Sequence, residues 1–83
     1  MDKFEKIKQG FEFLLKDCGS VALLGFVDKK EIPEKASKEE YENDLFDHEY
    51  SDTRTDGFDD ADFWGSIYLP LESDLYMQFD VHA

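Results

Sequence analysis

The last third of the chain alternates apolar and polar residues, and this pattern constrains the fold more than any other stretch does. Between Leu75 and His82 every second side chain is apolar, which is the two-residue period of a strand with one buried face. The stretch from Asp62 to Pro70 alternates in a similar way, and residues 71–74 between the two are suited to a turn. We therefore predict a β-hairpin whose apolar face is covered by the rest of the domain.

The first part of the chain has the spacing of an amphipathic helix. Its apolar residues recur at helical intervals; they are Phe4, Ile7, Phe11, Leu14 and Leu15. Asp2 is suited to cap the start of this helix, and Gly19 is suited to end it in a left-handed conformation. Cys18 is the single cysteine and has no basic catalytic group beside it in the sequence, so we predict a buried structural residue.

Two further elements complete the predicted fold. Ser20–Asp28 is short, apolar on both faces and rich in strand-favouring residues, which predicts an interior strand. Ser37 and Glu40 have the spacing of a helix capping box, so a second helix is predicted from about Lys38 to Tyr50. We therefore expect a single small α+β domain, residues 1–83, in the order helix–strand–helix–hairpin. Its three-stranded, mainly antiparallel sheet would carry the helices on one face.

Negative charge is concentrated in the middle of the chain. The whole sequence has 21 acidic and nine basic residues, a net charge of −12. Residues 31–63 alone contain thirteen acidic residues against two lysines and one arginine, a net charge of −10. Like charges so close together oppose compaction, and we infer that this stretch serves to bind a basic molecule. On the predicted second helix, Glu40, Asp44 and Asp47 would form a continuous stripe of carboxylates.

The candidate binding residues are eleven acids and three neighbouring aromatic residues: Glu39, Glu40, Glu42, Asp44, Asp47, Glu49, Asp52, Asp56, Asp59, Asp60, Asp62, Tyr50, Phe58 and Trp64. Such a surface would fit the basic groove of a DNA- or RNA-binding protein or a nuclease, whose Arg and Lys would pair with the carboxylates. We therefore expect a non-enzymatic inhibitor that mimics nucleic-acid charge, as a monomer or a small homo-oligomer. In general character the chain resembles phage-encoded nucleic-acid mimics of the anti-restriction type and the immunity proteins of nuclease toxins, although no motif ties it to one family.

Two alternatives remain open for the function. The chain could be an immunity protein for a nuclease toxin, which would use the same acids. It could also be a structural or accessory subunit whose acids only keep it in solution. In that case its contacts would run through aromatic residues on the polar face of the hairpin, namely Trp64, Tyr68 and Tyr76. Ordinary cross-strand packing would also account for these three residues.

Other classes of function find little support in the sequence. His48 and His82 have no nucleophile placed beside them, and phosphate-binding and zinc motifs are absent, so we expect no catalytic residue, resident metal or cofactor. A net charge of −12 argues against direct binding of nucleic acid. Residues 51–62 fit a calcium loop poorly because Arg54 falls at a ligand position, although looser divalent binding by their acids stays open. The single Cys18, with no apolar run long enough for a membrane and no signal peptide, predicts a cytoplasmic protein.

Overall fold

The computed structural model describes residues 2–42, 44–55 and 63–83. In chain order the elements are α1 (Lys3–Leu15), β1 (Ser20–Asp28), a 3-10 helix (Lys29–Glu31), β2 (Ser37–Glu40), β3 (His48–Thr55), β4 (Phe63–Glu72) and β5 (Leu75–His82). The five strands form one sheet in the order β1-β5-β4-β3-β2, and every neighbouring pair is antiparallel. No helix in these ranges combines the length and the apolar character that a bilayer-spanning segment needs.

This architecture corrects the predicted fold. The sequence pattern predicts a three-stranded sheet with helices on one face, whereas the described residues form a five-stranded antiparallel sheet with a single α-helix. The α+β class is still loosely compatible, but most of the structure is sheet. The predicted hairpin is present as β4 and β5. Their paired residues run from Trp64 opposite His82 to Glu72 opposite Leu75. The difference arises in the middle of the chain, where β2 and β3 stand in place of the second helix.

The predicted helix over Lys38–Tyr50 is wrong because strand pairing outweighs its local signal. Ser37, the predicted helix cap, lies opposite Ser51 in the β2–β3 ladder, and its hydroxyl donates a hydrogen bond to the Ser51 carbonyl oxygen at 3.4 Å. A helix cap contributes about 1 kcal/mol, whereas β3 forms ladders with two strands at once. The predicted helical stripe of carboxylates therefore does not form.

The first helix begins as predicted and ends differently. The Asp2 carboxylate accepts a hydrogen bond from the Phe4 N–H at 3.0 Å and so caps α1. The helix ends with Lys16 as its C-terminal cap in a right-handed conformation. The predicted left-handed ending at Gly19 is wrong, since Gly19 is not among the glycines with positive φ.

Gly10 lets α1 lie directly on the sheet. A Cβ at this position would come within 2.7 Å of the ring of Phe79, so the close approach of helix and strand explains a glycine inside a helix. The core that this packing creates contains ten buried residues: Phe13, Leu14, Cys18, Phe46, Ile67, Leu69, Leu71, Met77, Phe79 and Val81. The β4–β5 hairpin supplies six of them, and Cys18 is buried as predicted.

One core residue comes from the irregular segment between β2 and β3. Phe46 is only 2% exposed, and its ring centre lies 5.4 Å from that of Phe13. On a helix over Lys38–Tyr50, Leu45 would share a side with Tyr41 and His48 and would pack on the sheet, yet Leu45 is 45% exposed. The segment between β2 and β3 is therefore held to the core by Phe46, and not by the neighbouring Leu45 that helical periodicity indicates.

The strand β1 has the predicted bounds but lies at an edge of the sheet and not in its interior. Apolar residues on both faces led to the interior prediction, but Leu24 and Phe26 are 58% and 49% exposed. Its register against β5 shifts between Leu23 and Gly25, which marks a β-bulge at Leu24. The bulge divides β1 into two paired arms of similar length.

The face of the sheet opposite α1 is crossed by the connection between β1 and β2. Residues 29–36 join strands at opposite edges of the sheet, so they must pass across it. The Lys35 Nζ lies 3.8 Å from the Asp52 Oδ2, and Asp52 is on the face that carries Tyr68 and Tyr76. Both tyrosines are buried, so this face does not present the aromatic surface that an accessory subunit would use.

Candidate functional site

Five of the predicted acidic residues lie on the segment at one end of the β2–β3 hairpin. The Tyr41 N–H donates a hydrogen bond to the Asp47 carbonyl oxygen at 2.8 Å and so links the two ends of the loop between β2 and β3. This loop and the end of β2 carry five exposed carboxylates, which we call the acidic hairpin tip: Glu39, Glu40, Glu42, Asp44 and Asp47. These acids therefore lie on the end of a strand and on the loop after it, and not on one face of a helix.

Two lysines approach the acidic hairpin tip without neutralising it. The Lys38 Nζ lies 3.5 Å from the Glu40 Oε1, and the Lys16 Nζ lies 3.7 Å from the Asp44 Oδ1. Both pairs are solvent-exposed, and such ion pairs contribute about 0–1 kcal/mol. The acids of the tip outnumber these cations, so its charge remains negative.

Two carboxylates of the tip also hold the loop in shape. The Asp44 Oδ1 accepts a hydrogen bond from the Leu45 N–H at 2.9 Å, and the Asp47 Oδ1 lies 2.6 Å from the His48 Nδ1. Bonds of this local kind fix a turn conformation. Asp44 and Asp47 therefore contribute to the geometry of the loop.

The other predicted binding residues do not join this surface. Glu49 is buried on the α1 side of the sheet, while Tyr50 and Asp52 are half-buried on the opposite face. Trp64 is 41% exposed on that opposite face and pairs with Arg54, near the other end of β3. The remaining predicted residues lie outside the described ranges: Asp56, Phe58, Asp59, Asp60 and Asp62. Within the described ranges, no group of three or more His, Cys, Asp or Glu side chains could hold a metal ion.

A pocket of about 250 Å³ lies between the C-terminal end of α1 and the β2–β3 hairpin. Its lining includes four acids and one lysine: Asp17, Glu39, Asp44, Glu49 and Lys16. Asp17 was not predicted as part of a site, because it follows α1 and meets the hairpin only through tertiary packing. No local pattern in the sequence could have identified it.

Glu49 is the most unusual carboxylate of this pocket. It is 6% exposed, accepts a hydrogen bond from the Tyr41 hydroxyl, and lies opposite Glu39 in the β2–β3 ladder. Burial raises the pKa of Glu49, and the charges of Glu39 and Asp17 raise it further, while the Tyr41 hydrogen bond acts in the opposite direction. The pocket therefore contains a carboxylate that takes up a proton more readily than an exposed glutamate does.

The same environment keeps two potential nucleophiles neutral. Burial raises the pKa of the Cys18 thiol, and the nearby charges of Asp17 and Glu49 add to this effect. The pKa of Tyr41 is also raised, first by burial and then by its hydrogen bond to Glu49. Because the thiolate is the reactive form of cysteine, these surroundings favour a structural Cys18 and not a reactive one.

A hydrogen-bonded series like that of a proton relay is formed by Asp47, His48 and Tyr76, but substrates cannot reach it. The His48 Nδ1 lies 2.6 Å from the Asp47 Oδ1, and the His48 Nε2 lies 2.7 Å from the Tyr76 hydroxyl. Tyr76 is 3% exposed, and burial raises its pKa. Its ring also packs edge-on against those of His48 and Tyr50. The arrangement therefore fits an internal packing cluster, since a substrate could not reach the hydroxyl.

The fold and the site together define a small, mostly antiparallel α+β protein with an acidic hairpin tip. A scan against protein-family models, a search of curated proteins and a search of solved structures each found no match.

Proposed function

We propose that the chain is a non-enzymatic binding protein that occupies the basic groove of a nucleic-acid-binding protein or nuclease and so blocks its nucleic acid. The observation that best supports this proposal is the acidic hairpin tip, whose five exposed carboxylates lie on nine consecutive residues, 39–47. Arg and Lys side chains of the partner would form charge-assisted hydrogen bonds with these carboxylates. The chain binds a protein, and it does so in the cytoplasm.

The charge of the tip supports a binding role over a merely solvated surface. Five exposed carboxylates lie on residues 39–47, and like charges concentrated on a short segment oppose compaction. The two lysines nearby form only exposed ion pairs at 3.5 and 3.7 Å, which relieve little of this repulsion. A basic groove would remove the repulsion on binding and would speed the encounter by long-range attraction.

The test is capture of a partner from a cell lysate by the immobilised protein, followed by elution in salt steps. We expect a basic, nucleic-acid-binding protein that elutes between 0.1 and 0.5 M salt, because exposed charge pairs are screened over about 10 Å at 0.1 M. The test variant is Glu39→Lys, Glu40→Lys and Glu42→Lys, which leaves the two aspartates that shape the loop in place.

The matched control carries the same change of charge on other exposed acids, as Glu5→Lys, Glu12→Lys and Asp80→Lys. Loss of capture by the test variant, with capture retained by the control, is the expected result. Equal capture by both variants would refute the role of the tip.

The two alternative functions are not equally supported. An immunity protein for a nuclease toxin would use the same surface, and the captured partner would then be a nuclease. An accessory subunit that binds through aromatic residues has less support, because Tyr68 and Tyr76 are buried and only Trp64 of that set is exposed. We therefore retain the charge-mimic proposal as the main one.

A further inference from the structure

The pocket between the end of α1 and the β2–β3 hairpin has a negative interior. Its lining includes four acids and one lysine, so its charge is negative whether or not Glu49 is ionised. The C-terminal end of α1 lies at the same place, and the last turn of this helix contains no basic residue. Because a helix carries partial negative charge at its C-terminus, this end adds to the attraction for a cation.

Glu49 presents one carboxylate oxygen to this pocket. The Tyr41 hydroxyl donates its hydrogen bond to the Glu49 Oε1, and among the described residues no donor reaches the Glu49 Oε2. Every fully buried side-chain oxygen in this part of the chain has a hydrogen-bond partner. Since Glu49 is only 6% exposed and lines the pocket, its Oε2 faces the pocket. This oxygen can accept a hydrogen bond from a ligand, and such a bond is strongest when the donor is charged.

A cation of the chain itself already lies at this pocket. The Lys16 Nζ lies 5.3 Å from the centre of the Phe13 ring and 3.7 Å from the Asp44 Oδ1. A positive charge within about 6 Å of an aromatic ring is attracted to its face, so the pocket holds this charge with a ring and a carboxylate together. The Lys16 side chain is 59% exposed, and an exposed ion pair contributes little. Lys16 can therefore give way to a cation that also reaches Glu49.

We propose that this pocket binds a guanidinium group, and that an arginine side chain of the basic partner supplies it. The second statement rests on the proposed function. The volume of about 250 Å³ is below the range of about 300–1,000 Å³ for drug-sized ligands, so it suits a single side chain. A guanidinium stacks on aromatic rings, binds carboxylates through two N–H groups and is less strongly hydrated than an ammonium. The described carboxylates form no group that could hold a metal ion, which favours an organic cation.

The pocket and the acidic hairpin tip are continuous, since Glu39 and Asp44 belong to both. Exposed charge pairs on the tip contribute little affinity each and mainly speed the encounter. Arginine side chains that enter a desolvated pocket are among the residues that dominate the affinity of protein interfaces. The pocket therefore supplies the one buried contact that a purely exposed acidic surface lacks.

Titration of the protein with propylguanidinium, followed by NMR, tests the pocket without any partner. We expect saturable shifts in the amide signals of the residues that line the pocket, and weaker binding of propylammonium. Glu49→Gln keeps an acceptor for the Tyr41 hydroxyl and should weaken binding at least fivefold. Glu42→Gln is the matched control, because Glu42 is an exposed acid outside the pocket lining; it should change binding less than twofold. No saturable shift with the wild type, or equal weakening by both variants, would overturn the proposal.

Removal of the competing lysine gives a result that damage to the fold could not produce. Lys16→Gln should bind propylguanidinium at least threefold more tightly than the wild type, because the group no longer has to displace the Lys16 Nζ. Lys8→Gln is the control for the change in net charge, since Lys8 is exposed on α1 and does not line the pocket. Unchanged or weaker binding by Lys16→Gln would contradict the proposal.

Partner capture from a lysate distinguishes this proposal from the proposed function. Glu49→Gln should capture the partner at least fivefold more weakly than Glu42→Gln does, and propylguanidinium should elute the partner at a concentration where sodium chloride does not. Full capture by Glu49→Gln would overturn the assignment of the pocket to an arginine of the partner and would leave the role of the tip intact. No capture by the wild type, with propylguanidinium still bound at the pocket, would refute the proposed function and assign the pocket to a free guanidinium compound.

Discussion

The hydroxyl of Tyr41 donates a hydrogen bond to the carboxylate of Glu49, a side chain buried between β2, β3 and the end of α1. Glu39 lies directly across the ladder from Glu49, so this buried acid has a like charge as its cross-strand neighbour. The Tyr41 hydroxyl gives the buried carboxylate a hydrogen-bond partner but does not neutralise its negative charge. The protonation of Glu49 is therefore linked to the stability of the fold.

Glu49→Gln should make the stability of the protein less sensitive to pH. Because burial raises the folded-state pKa of Glu49 above its ordinary value of 4.5, the folded protein holds this proton more tightly than the unfolded chain. The stabilisation from this proton is fully present below about pH 4.5 and is lost as pH rises through the folded-state pKa. The free energy of unfolding from urea titrations at pH 4 to 8 should therefore favour the variant increasingly at higher pH.

A control for this prediction is Glu42→Gln, which changes an exposed acid in the loop between β2 and β3. Its stability difference from the wild type should change with pH less than that of Glu49→Gln, because Glu42 is exposed and Glu49 is buried. A pH-independent difference for Glu49→Gln would show that Glu49 ionises in the folded state as it does in the unfolded chain.

Phe46→Ala should destabilise the protein far more than Leu45→Ala. Phe46 is 2% exposed and packs against Phe13, whereas Leu45 is 45% exposed. Removing a buried phenylalanine costs about 3–5 kcal/mol, while the exposed neighbour should cost less than about 1 kcal/mol. Thermal and urea unfolding of both variants measure this difference. The opposite order would support the helix over Lys38–Tyr50 that the structure replaces with a hairpin.

Gly10→Ala should destabilise the protein although it improves helix propensity. The new Cβ would lie 2.7 Å from the Phe79 ring, and Phe79 is fully buried. Alanine gains about 1 kcal/mol over glycine in a helix, but overpacking of a tight core costs about 1–3 kcal/mol. The free energy of unfolding should therefore fall. Adding Phe79→Leu should reduce the cost of Gly10→Ala, and a stabilising Gly10→Ala would contradict the close packing of α1 on β5.

Tyr76→Phe should weaken the cluster that His48 forms on the face opposite α1. The change removes the hydroxyl that lies 2.7 Å from the His48 Nε2 and keeps the ring that packs against Tyr50. Loss of one such hydrogen bond costs about 1 kcal/mol. A double-mutant cycle with His48→Ala should give a coupling free energy of about that size. A coupling near zero would mean that the hydrogen bond contributes nothing to stability.

Local patterns predicted those parts of the fold whose local and tertiary preferences agree. The period-two run over Leu75–His82 gave β5 within its observed bounds, and Asp2 caps α1 as its position suggested. The helix over Lys38–Tyr50 failed because Ser37 and Glu40 also fit a strand, and only the pairing of β2 with β3, and of β3 with β4, decides between the two. The predicted interior position of β1 is wrong because the pattern of apolar residues indicates which faces of a strand are apolar. It does not indicate which strands lie on either side of it.

The sequence analysis did not identify the elements that carry the candidate binding residues. Glu39, Glu40 and Glu42 are exposed acids, but they lie on β2 and the segment after it and not on a helix face. Glu49 was predicted as a contact residue and is instead buried against Tyr41. Asp17 enters the same pocket through packing between elements distant in sequence, which one sequence alone does not encode as a local signal.

The central claim is that the acidic hairpin tip takes the place of nucleic acid on a basic partner. A competition titration tests it most directly: the captured partner is held on labelled duplex DNA, and the protein is added at constant salt. We expect the protein to displace the DNA completely and the Glu39→Lys, Glu40→Lys, Glu42→Lys variant to leave it bound. A ternary complex, in which the partner holds the DNA and the protein at the same time, would contradict it.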